Sequence, residues 1–391
     1  MNIPYGRQDL NKEDINAVTD VLKSDYLTQG PVVPQFEASV ASHVDAEFAI
    51  AVNSATSALH IACLSLNVKP GDIVWTSPIT FVATANCALY CGAKVDFVDI
   101  DPISYNMSVT ALSKKLELAK KNNSLPKVLI PVHLAGQSCE MKEIHKLSQK
   151  YDFKIIEDAS HAIGAKYLDN PVGNCLYSDI TVFSFHPVKI VTSVEGGVAV
   201  TNSPDLANIM KRLRSHGITR DPAEMIGSTD GSWYYQQLHL GFNYRMSEIH
   251  GALGLNQLKR LKEFISKRNN IAIYYDSLLE DLSIDTPKQS LDCYSSFHLY
   301  IIRIPKKSVT FDRLQVFERL RSNGIGVNVH YIPIYRQPYF KKFNFNYKDF
   351  PESEKYYSEA ISLPIFPSLT KKQQEAIINI ISSPIGHQAL F

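Results

Sequence analysis

From residue 13 to about 215, the chain alternates short apolar runs with stretches whose apolar residues recur at helical spacing. Runs such as "FAIAV" and "DITVFSF" are hydrophobic on both faces, which is typical of strands buried in a parallel sheet. The stretches between them, such as "ATSALHIACLSL" and "MKEIHKLSQKYD", have the length and periodicity of helices. Strand and helix in strict turn therefore predict an α/β domain, in which a mostly parallel mixed sheet is flanked by helices.

The pattern changes after this region. A polar loop at 219–236, rich in Gly, Asp and Ser, is a candidate for mobility or for subunit contact. A long helix is predicted at about 247–281, because leucine and isoleucine recur there near helical spacing. This helix would link two domains.

The C-terminal part contains enough predicted elements for a smaller α/β domain. "FHLYIIRI" and "IGVNVHYIPI" are predicted strands on either side of the helix "FDRLQVFERLRSNG", and two further helices end the chain. We therefore predict a large cofactor-binding domain at 13–250 and a small domain at 251–391 that also includes residues 1–12.

Charge and cysteine content narrow the class of protein. Forty basic and thirty-nine acidic residues leave a formal net charge of +1, so no nucleic-acid partner is expected. The six cysteines form no CxxC pair, which favours a reduced cytoplasmic protein and argues against a metal site. The N-terminus lacks a signal-peptide pattern, and the uncharged windows at 48–68 and 73–93 contain polar residues, so we expect no membrane span.

The residues that follow each strand are the candidates for chemistry, because ligands bind beyond the carboxyl ends of parallel strands. After the first strand comes a helix N-terminus, whose free N–H groups suit an anion. An aromatic residue opens the next helix, and two later strands are followed by an acid with a histidine and by a hydroxyl with a lysine. In chain order these residues are Ser54, Ala55, Thr56, Phe81, Asp158, His161, Ser184 and Lys189.

This combination is what pyridoxal phosphate requires of a protein. Lys189 would form a Schiff base with the aldehyde, and burial would lower its pKa enough for the freed amine to act as a base. Asp158 would pair with the ring nitrogen, His161 would hydrogen-bond the ring hydroxyl, and Phe81 would stack on the ring. The phosphate would be held by Ser54, Ala55, Thr56 and Ser184.

Each of these residues also has a purely structural explanation. Lys189 would then be a surface lysine after a tight turn, Asp158 a buried carboxylate that caps a loop, and His161 a core histidine. Phe81 and Ser184 would be ordinary core and strand residues, and the helix start a normal N-cap. Their joint placement at strand ends favours the cofactor.

Seven ordered stretches resemble the sugar aminotransferases of the DegT/StrS type, fold type I pyridoxal-phosphate enzymes that aminate nucleotide-linked keto-sugars. The resemblance covers nearly the whole chain. It is carried by "LTQGP", "NSATSAL", "SPITFVATAN", "EDASHAIGAKY", "VFSFHPVKIVTSVEGG", "FNYRMSEIHGALGLNQL" and "VHYIPIY".

The resemblance implies most of the cofactor contacts of the strand-end argument and adds one residue. The contacts that it implies are those of Ala55, Thr56, Asp158, His161, Ser184 and Lys189. Asn243, in "FNYR", would reach the phosphate of the neighbouring subunit's cofactor, which implies a homodimer with shared active sites. The chain departs from its relatives at Val194, where a small residue is more usual. A branched side chain restricts the backbone of this turn.

Several stretches, among them "SHAIGAKY" and "SSFHLY", most resemble transaminases of pseudaminic acid biosynthesis. These enzymes use L-glutamate to aminate C4 of UDP-2-acetamido-2,6-dideoxy-L-arabino-hexos-4-ulose. The resemblance implies that the UDP-linked keto-sugar would contact Tyr5, Thr28, His330 and Tyr331.

Other functions stay open at this point. A perosamine-type or bacillosamine-type 4-aminotransferase would act on a D-configured sugar, and no motif separates the two, since ring stereochemistry depends on pocket shape. A pyridoxamine-dependent 3-dehydratase usually has histidine at the lysine position, so Lys189 argues against it. A non-catalytic binding protein of the same fold usually carries an added DNA-binding domain, and this chain has no basic patch of that kind.

Overall fold

The computed structural model of the chain describes residues 2–305 and 312–382. Residue 1, residues 306–311 and residues 383–391, which the predicted domains include, lie outside this description. Within the described residues, no helix combines the length and apolar character that crossing a bilayer requires.

Helices and strands alternate through the first half of the chain, as the periodicity predicts. The helices are α1 (Lys12–Leu22), α2 (Val32–Val44), α3 (Ala55–Ser65), α4 (Ala83–Tyr90), α5 (Val109–Lys121), α6 (Met141–Tyr151), α7 (Pro204–Leu213), α8 (Glu248–Leu258), α9 (Leu261–Leu279), α10 (Arg313–Ser322), α11 (Pro351–Glu359) and α12 (Lys371–Ser382). Short 3-10 helices occupy Leu134–Gly136, Ile334–Arg336, Pro338–Phe343 and Tyr347–Asp349.

The strands fall into one large and three small sheets. They are β1 (Phe48–Val52), β2 (Ile73–Thr76), β3 (Lys94–Phe97), β4 (Val128–Ile130), β5 (Lys154–Asp158), β6 (Lys166–Tyr167), β7 (Asn170–Pro171), β8 (Ile180–Ser184), β9 (Gly197–Thr201), β10 (Ile218–Thr219), β11 (Gln236–Gln237), β12 (Cys293–Tyr294), β13 (Tyr300–Arg303) and β14 (Ala360–Leu363).

The large sheet has seven strands in the order β1-β9-β8-β5-β4-β2-β3. Strand β9 runs antiparallel to both of its neighbours, and the other neighbouring pairs are parallel. The predicted mostly parallel mixed sheet is therefore confirmed. Because β1, β5 and β8 point the same way, their carboxyl ends meet at one edge, where β9 begins.

Both faces of this sheet are covered, which explains why its strands are apolar throughout. On β8, Val182 packs into the core on one face and Phe183 into the core on the other, and both side chains are fully buried. Burial of each such side chain stabilises the fold by about 1.5–3 kcal/mol. A one-residue shift of register would exchange the two sets, so the strand ends are held in fixed positions.

A separate hydrophobic core lies in the C-terminal part of the chain. It gathers residues from α9, β13, α10, β14 and α12, and Ile3 from the N-terminus joins it. Ile334 and Tyr335, in contrast, pack into the core on one face of the large sheet. The domain boundary after residue 250 stays a prediction.

The long helix predicted at about 247–281 is wrong in one respect, because it is two helices. Helix α8 ends at Leu258 and α9 starts at Leu261, and the backbone of Arg260 between them is not helical (φ −99°, ψ 4°). Arg260 instead forms an ion pair with Asp9 at 2.6 Å. Contacts with the N-terminal segment thus override the apolar periodicity at this point.

The strand predicted at "IGVNVHYIPI" is also wrong. Only isolated bridges form there, from Ile325 to Ile3 and from Asn328 to Ser362. The residues that follow Asn328 leave the bridge and line a cavity. Helix α2 and strand β14 occur where no element was predicted.

Candidate active site

A cavity of about 490 Å³ lies at the carboxyl ends of β1, β5 and β8. This volume is in the usual range for small-molecule sites. Most of the predicted site residues, from distant parts of the chain, line it together. They are Tyr5, Ala55, Thr56, Phe81, Asp158, His161, Ser184, Lys189, His330 and Tyr331.

Two predicted residues lie outside the cavity of their own chain. Thr28 and Asn243 are both exposed, and their backbones form single bridges with Ser247 and Ser215. The predicted substrate contact of Thr28 and the predicted partner contact of Asn243 remain predictions.

One wall of the cavity is the N-terminus of α3. The Ser54 hydroxyl accepts the N–H of Ser57 at 3.1 Å, which caps the helix. The N–H groups of Ala55 and Thr56 have no acceptor among the described residues. Unpaired N–H groups and the positive end of the helix dipole together make an anion site.

Strand β9 approaches this helix end so closely that only glycine fits. A Cβ atom on Gly197 would lie 2.4 Å from the backbone N of Ala55. Gly197 also pairs with Ser184 on β8, so it brings the Ser184 hydroxyl and the helix N-terminus to the same place. The Glu-Gly-Gly turn therefore has a packing role in the anion site.

Asp158 ends β5 and is almost fully buried, with 4% of its surface exposed. The Thr84 hydroxyl donates to Asp158 Oδ2 at 2.7 Å. The Ser160 hydroxyl and N–H both donate to Asp158 Oδ1, at 2.6 and 3.1 Å. These hydrogen bonds fix the orientation of the carboxyl group in the cavity wall.

Lys189 follows β8 on a turn that is closed by its own N–H, which donates to the His186 carbonyl at 2.9 Å. It is half-buried and is the one lysine or arginine among the described residues that line the cavity. Burial lowers the pKa of Lys189 to about 8, and the charge of Asp158 partly opposes this shift. About a tenth of the amine is therefore uncharged at pH 7, far more than for an ordinary lysine with a pKa of about 10.4, and the uncharged form is the one that acts as a nucleophile or base.

The lowered pKa predicts how cofactor-free enzyme will recombine with pyridoxal phosphate. Only the uncharged amine of Lys189 can attack the aldehyde, so the rate should rise about tenfold per pH unit below 8 and level off above it. Stopped-flow absorbance measures this rate. A rise that continues toward the ordinary lysine pKa of about 10.4 would contradict the prediction, and Lys189→Ala is the control that should show no such reaction.

The turn after Lys189 contains Val194, where the resemblance led us to expect a small residue. Val194 has φ +68°, in the left-handed region, where a branched side chain is strained. Its side chain is half-exposed, at 49%, and its N–H donates to the Thr192 hydroxyl at 3.0 Å. The restriction expected from the sequence is therefore present in the fold.

Val194→Asn should raise the free energy of unfolding by about 1 kcal/mol, because asparagine tolerates the left-handed conformation. The half-exposed valine loses little buried surface in the exchange. Urea denaturation measures the change. Val194→Ala is the matched variant: it removes the branch but keeps Cβ, and should gain less. The prediction would be contradicted if the free energy of unfolding of Val194→Asn were no higher than that of the wild type or of Val194→Ala.

His161 is held in one tautomer. The Ala135 N–H donates to His161 Nδ1 at 3.3 Å, so in the neutral ring Nε2 carries the proton. Nε2 lies 3.1 Å from the Tyr331 hydroxyl at the cavity wall. Burial first, and then the charges of Lys189 and His330, lower the pKa of His161 well below its usual value. His161 therefore presents an uncharged N–H donor to the cavity.

Another wall of the cavity is aromatic and combines residues from distant parts of the chain. The Tyr5 ring lies 5.6 Å from that of His330, and the Phe81 ring lies 6.3 Å from that of Tyr331. His330 Nδ1 is 2.8 Å from the Ser362 hydroxyl. Burial, with a smaller contribution from Lys189, lowers the pKa of His330 to about 4. This wall is thus aromatic and uncharged at neutral pH.

Several lining residues were not predicted. Thr84 and Ser160 donate hydrogen bonds to Asp158. A hydroxyl in the first turn of a helix, and the serine in "DASH", could have suggested these contacts. Others come from segments that sequence patterns do not connect with the sheet. The unpredicted lining residues with polar side chains are Thr80, Thr84, Ser160, His186, Glu195, His298, Asn328 and Gln337.

The donors of the cavity fit pyridoxal phosphate. An anion site at α3, a buried carboxylate at Asp158, an amine at Lys189 and an N–H donor at His161 match the phosphate, ring nitrogen, aldehyde and ring hydroxyl. The exposed ring of Phe81 offers a flat apolar surface beside them. Unpaired donors and a confined lysine in one cavity are better explained by this ligand than by packing alone.

Comparison with known proteins gives an independent result. A family model described as the DegT/DnrJ/EryC1/StrS aminotransferase family matches residues 8–382. The UDP-4-amino-4,6-dideoxy-N-acetyl-beta-L-altrosamine transaminase of Campylobacter jejuni is 37% identical over 97% of each chain. The UDP-4-amino-4-deoxy-L-arabinose--oxoglutarate aminotransferase of Shewanella sediminis is 33% identical over 99% of each.

Solved structures agree with the sequence relatives. Helicobacter pylori PseC, described as an aminotransferase of pseudoaminic acid biosynthesis, has a TM-score of 0.88 at 33% identity and covers 97% of this chain and 98% of its own. The putative sugar aminotransferase Spr1654 of Streptococcus pneumoniae, in its PLP form, has a TM-score of 0.88 at 28% identity and covers 98% of each chain. The fold is thus that of pyridoxal-phosphate-dependent aminotransferases.

Proposed function

This chain belongs to the DegT/DnrJ/EryC1/StrS aminotransferase family, and we propose that it transfers the amino group of L-glutamate to C4 of UDP-2-acetamido-2,6-dideoxy-β-L-arabino-hexos-4-ulose. It is a sugar aminotransferase of that family, and its cofactor is pyridoxal phosphate. The product would be UDP-4-amino-4,6-dideoxy-N-acetyl-β-L-altrosamine, a precursor of pseudaminic acid. The observation that carries the proposal is the full-length similarity to the Campylobacter transaminase.

The chain's own residues divide the work of amino transfer. Bound pyridoxal phosphate supplies a ring that takes up the electron pair left when the substrate carbon loses its proton. The uncharged amine of Lys189 takes that proton and later returns it. Asp158 would hold the ring nitrogen in its protonated form, and the His161 N–H would donate to the ring hydroxyl oxygen. The N-terminus of α3, with the Ser184 hydroxyl, would bind the phosphate.

We propose a homodimer with shared active sites as the working form. Asn243 is exposed and lies away from its own cavity, which leaves it free to contact a second copy of the chain. If each site needs both subunits, an inactive Lys189→Ala protein mixed with an inactive Asn243→Ala protein should regain activity after subunit exchange. Separate sites would leave the mixture inactive.

We place the reaction in the cytoplasm. All six cysteines are free thiols, and five of them are buried, as in proteins of reducing compartments. The two substrates would be a UDP-linked keto-sugar and L-glutamate.

A keto-sugar of other configuration is the second candidate substrate. The Shewanella relative is named for an L-arabinose derivative, so the family members similar to this chain act on more than one sugar. The keto-sugars of the bacillosamine and perosamine type, which have D-configured rings, are further alternative substrates.

The test separates the two half-reactions. Glutamate should convert the purified enzyme to the amine form of its cofactor, and a single UDP-4-keto-sugar should then restore the absorption of the aldehyde form. Restoration by the L-arabino sugar alone supports the proposal. Restoration only by a D-configured sugar keeps the aminotransferase and replaces the substrate. No reaction with glutamate would contradict the proposed amino donor.

A further inference from the structure

His298 lines the cavity, yet its side chain forms no hydrogen bond among the described residues. It is 5% exposed, and Nδ1 is fully buried without a partner. Buried polar atoms in folded proteins are nearly always hydrogen-bonded, so an unpaired imidazole in a cavity wall indicates a missing ligand. None of the cofactor contacts described above involves this residue.

The ring of His298 packs against that of His161, with 4.4 Å between the ring centroids. Burial first, and then the charges of His161 and Lys189, lower the pKa of His298 well below its usual value. The two imidazoles are therefore both uncharged at neutral pH, and they form adjacent parts of one surface.

The backbone that carries His298 is strained and tightly held. Phe297 is buried and has φ +44°, a conformation that a bulky residue adopts only when its surroundings impose it. The buried Arg268 guanidinium donates from Nη1 to the carbonyls of Phe297 and His298, at 3.1 and 3.3 Å. The Ser296 hydroxyl donates to the His161 carbonyl at 2.8 Å. These contacts fix His298 beside His161.

The burial of the ring nitrogens indicates the tautomer. A buried N–H without an acceptor is rarer and more costly than a buried acceptor without a donor. The proton of the neutral ring therefore resides on Nε2 rather than on the enclosed Nδ1. His298 thus offers the cavity one uncharged N–H donor.

We propose that His298 binds the sugar substrate, by donating from Nε2 to an uncharged oxygen of the keto-sugar, such as a hydroxyl or the acetamido carbonyl. This inference rests on the proposed function. A carboxylate of glutamate fits the position less well, because a desolvated carboxylate needs a cation and His298 is uncharged. Aromatic and uncharged neighbours at Tyr331 and His330 suit the same sugar ring.

The test compares the two half-reactions in His298→Phe, which keeps an aromatic ring and removes the donor. The KM for the UDP-4-keto-sugar should rise about tenfold, the effect of one lost hydrogen bond, while the glutamate half-reaction stays within about twofold. His298→Gln supplies an amide N–H and should recover part of the loss. His145→Phe, which removes a histidine that does not line the cavity, should leave both half-reactions unchanged.

Two results would overturn the inference. One is an unchanged KM for the keto-sugar in His298→Phe, or in His298→Leu should the phenylalanine variant fail to fold. The other is an equal loss in both half-reactions with a shifted cofactor absorption band, which would mean that His298 acts by positioning His161. Wild-type enzyme that reacts with glutamate but aminates no keto-sugar would remove the proposed function as well.

Discussion

Lys189→Ala is expected to lower kcat by about a thousandfold or more, because it removes the amine that we propose as the proton-transferring base. Pyridoxal phosphate should still bind, since the helix α3 N-terminus, Ser184 and Asp158 remain in place. The fold should be unaffected, since Lys189 forms no ion pair within 4 Å among the described residues. Steady-state kinetics measures the loss, and absorbance of the dialysed protein measures retained cofactor.

Lys189→Arg tests whether the enzyme needs only the positive charge of Lys189 or also its ability to accept a proton. Arginine keeps a cation in the cavity, but the guanidinium stays protonated at any working pH and cannot accept a proton. It should be as inactive as the alanine variant. Lys154→Ala is the matched control, because Lys154 pairs with Asp179 at the opposite end of β5 and should not affect kcat. Substantial activity in either Lys189 variant would remove the assignment.

Asp158→Asn is expected to lower kcat by about a hundredfold to a thousandfold, with cofactor still bound. The amide has nearly the same shape and can keep hydrogen bonds to the Thr84 and Ser160 hydroxyls. It has no charge, however, and cannot hold the proton on the ring nitrogen, so the ring accepts electrons less readily. The rate of the glutamate half-reaction, followed by stopped-flow absorbance, measures the effect.

Asp14→Asn is the matched control for this substitution. Asp14 is as buried as Asp158, and it accepts hydrogen bonds from Asn256 and Gln257 at 2.7 and 2.6 Å, far from the cavity lining. Its loss should lower the free energy of unfolding without changing kcat. Asp158→Asn with kcat within threefold of wild type would show that the carboxylate is structural, as the alternative explanation from the sequence states.

The order of strands and helices, and the residues at their ends, could be predicted from local patterns. A strand that is buried on both faces must be apolar at every position, as "ITVFS" in β8 is, so its polar successors stand out. Parallel strands bring those successors to one edge, which is why Ser184 and Asp158 meet. Ser54 capped its helix as its residue type and position suggest.

The predicted elements were wrong where contacts between distant segments of the chain outweighed the local periodicity. The helix break at Arg260 depends on Asp9, more than two hundred residues away in sequence, at an N–O distance of 2.6 Å. No pattern within 247–281 contains that information. The segment after Asn328 has a strand-like composition, but it forms no ladder with a neighbouring strand and lines the cavity instead.

The sequence by itself determined the strands of the large sheet, most of the helices that cover it and the strand-end residues, because periodicity and residue type act over a few positions. Only the tertiary structure decided which distant side chains join them. His298 is an example, because no sequence pattern connects it with the sheet. Its position beside His161, with 4.4 Å between the ring centroids, depends on the contacts of Arg268 and on the backbone of Phe297. The reason is physical: burial and missing hydrogen-bond partners are properties of packed surroundings, and a linear pattern does not specify them.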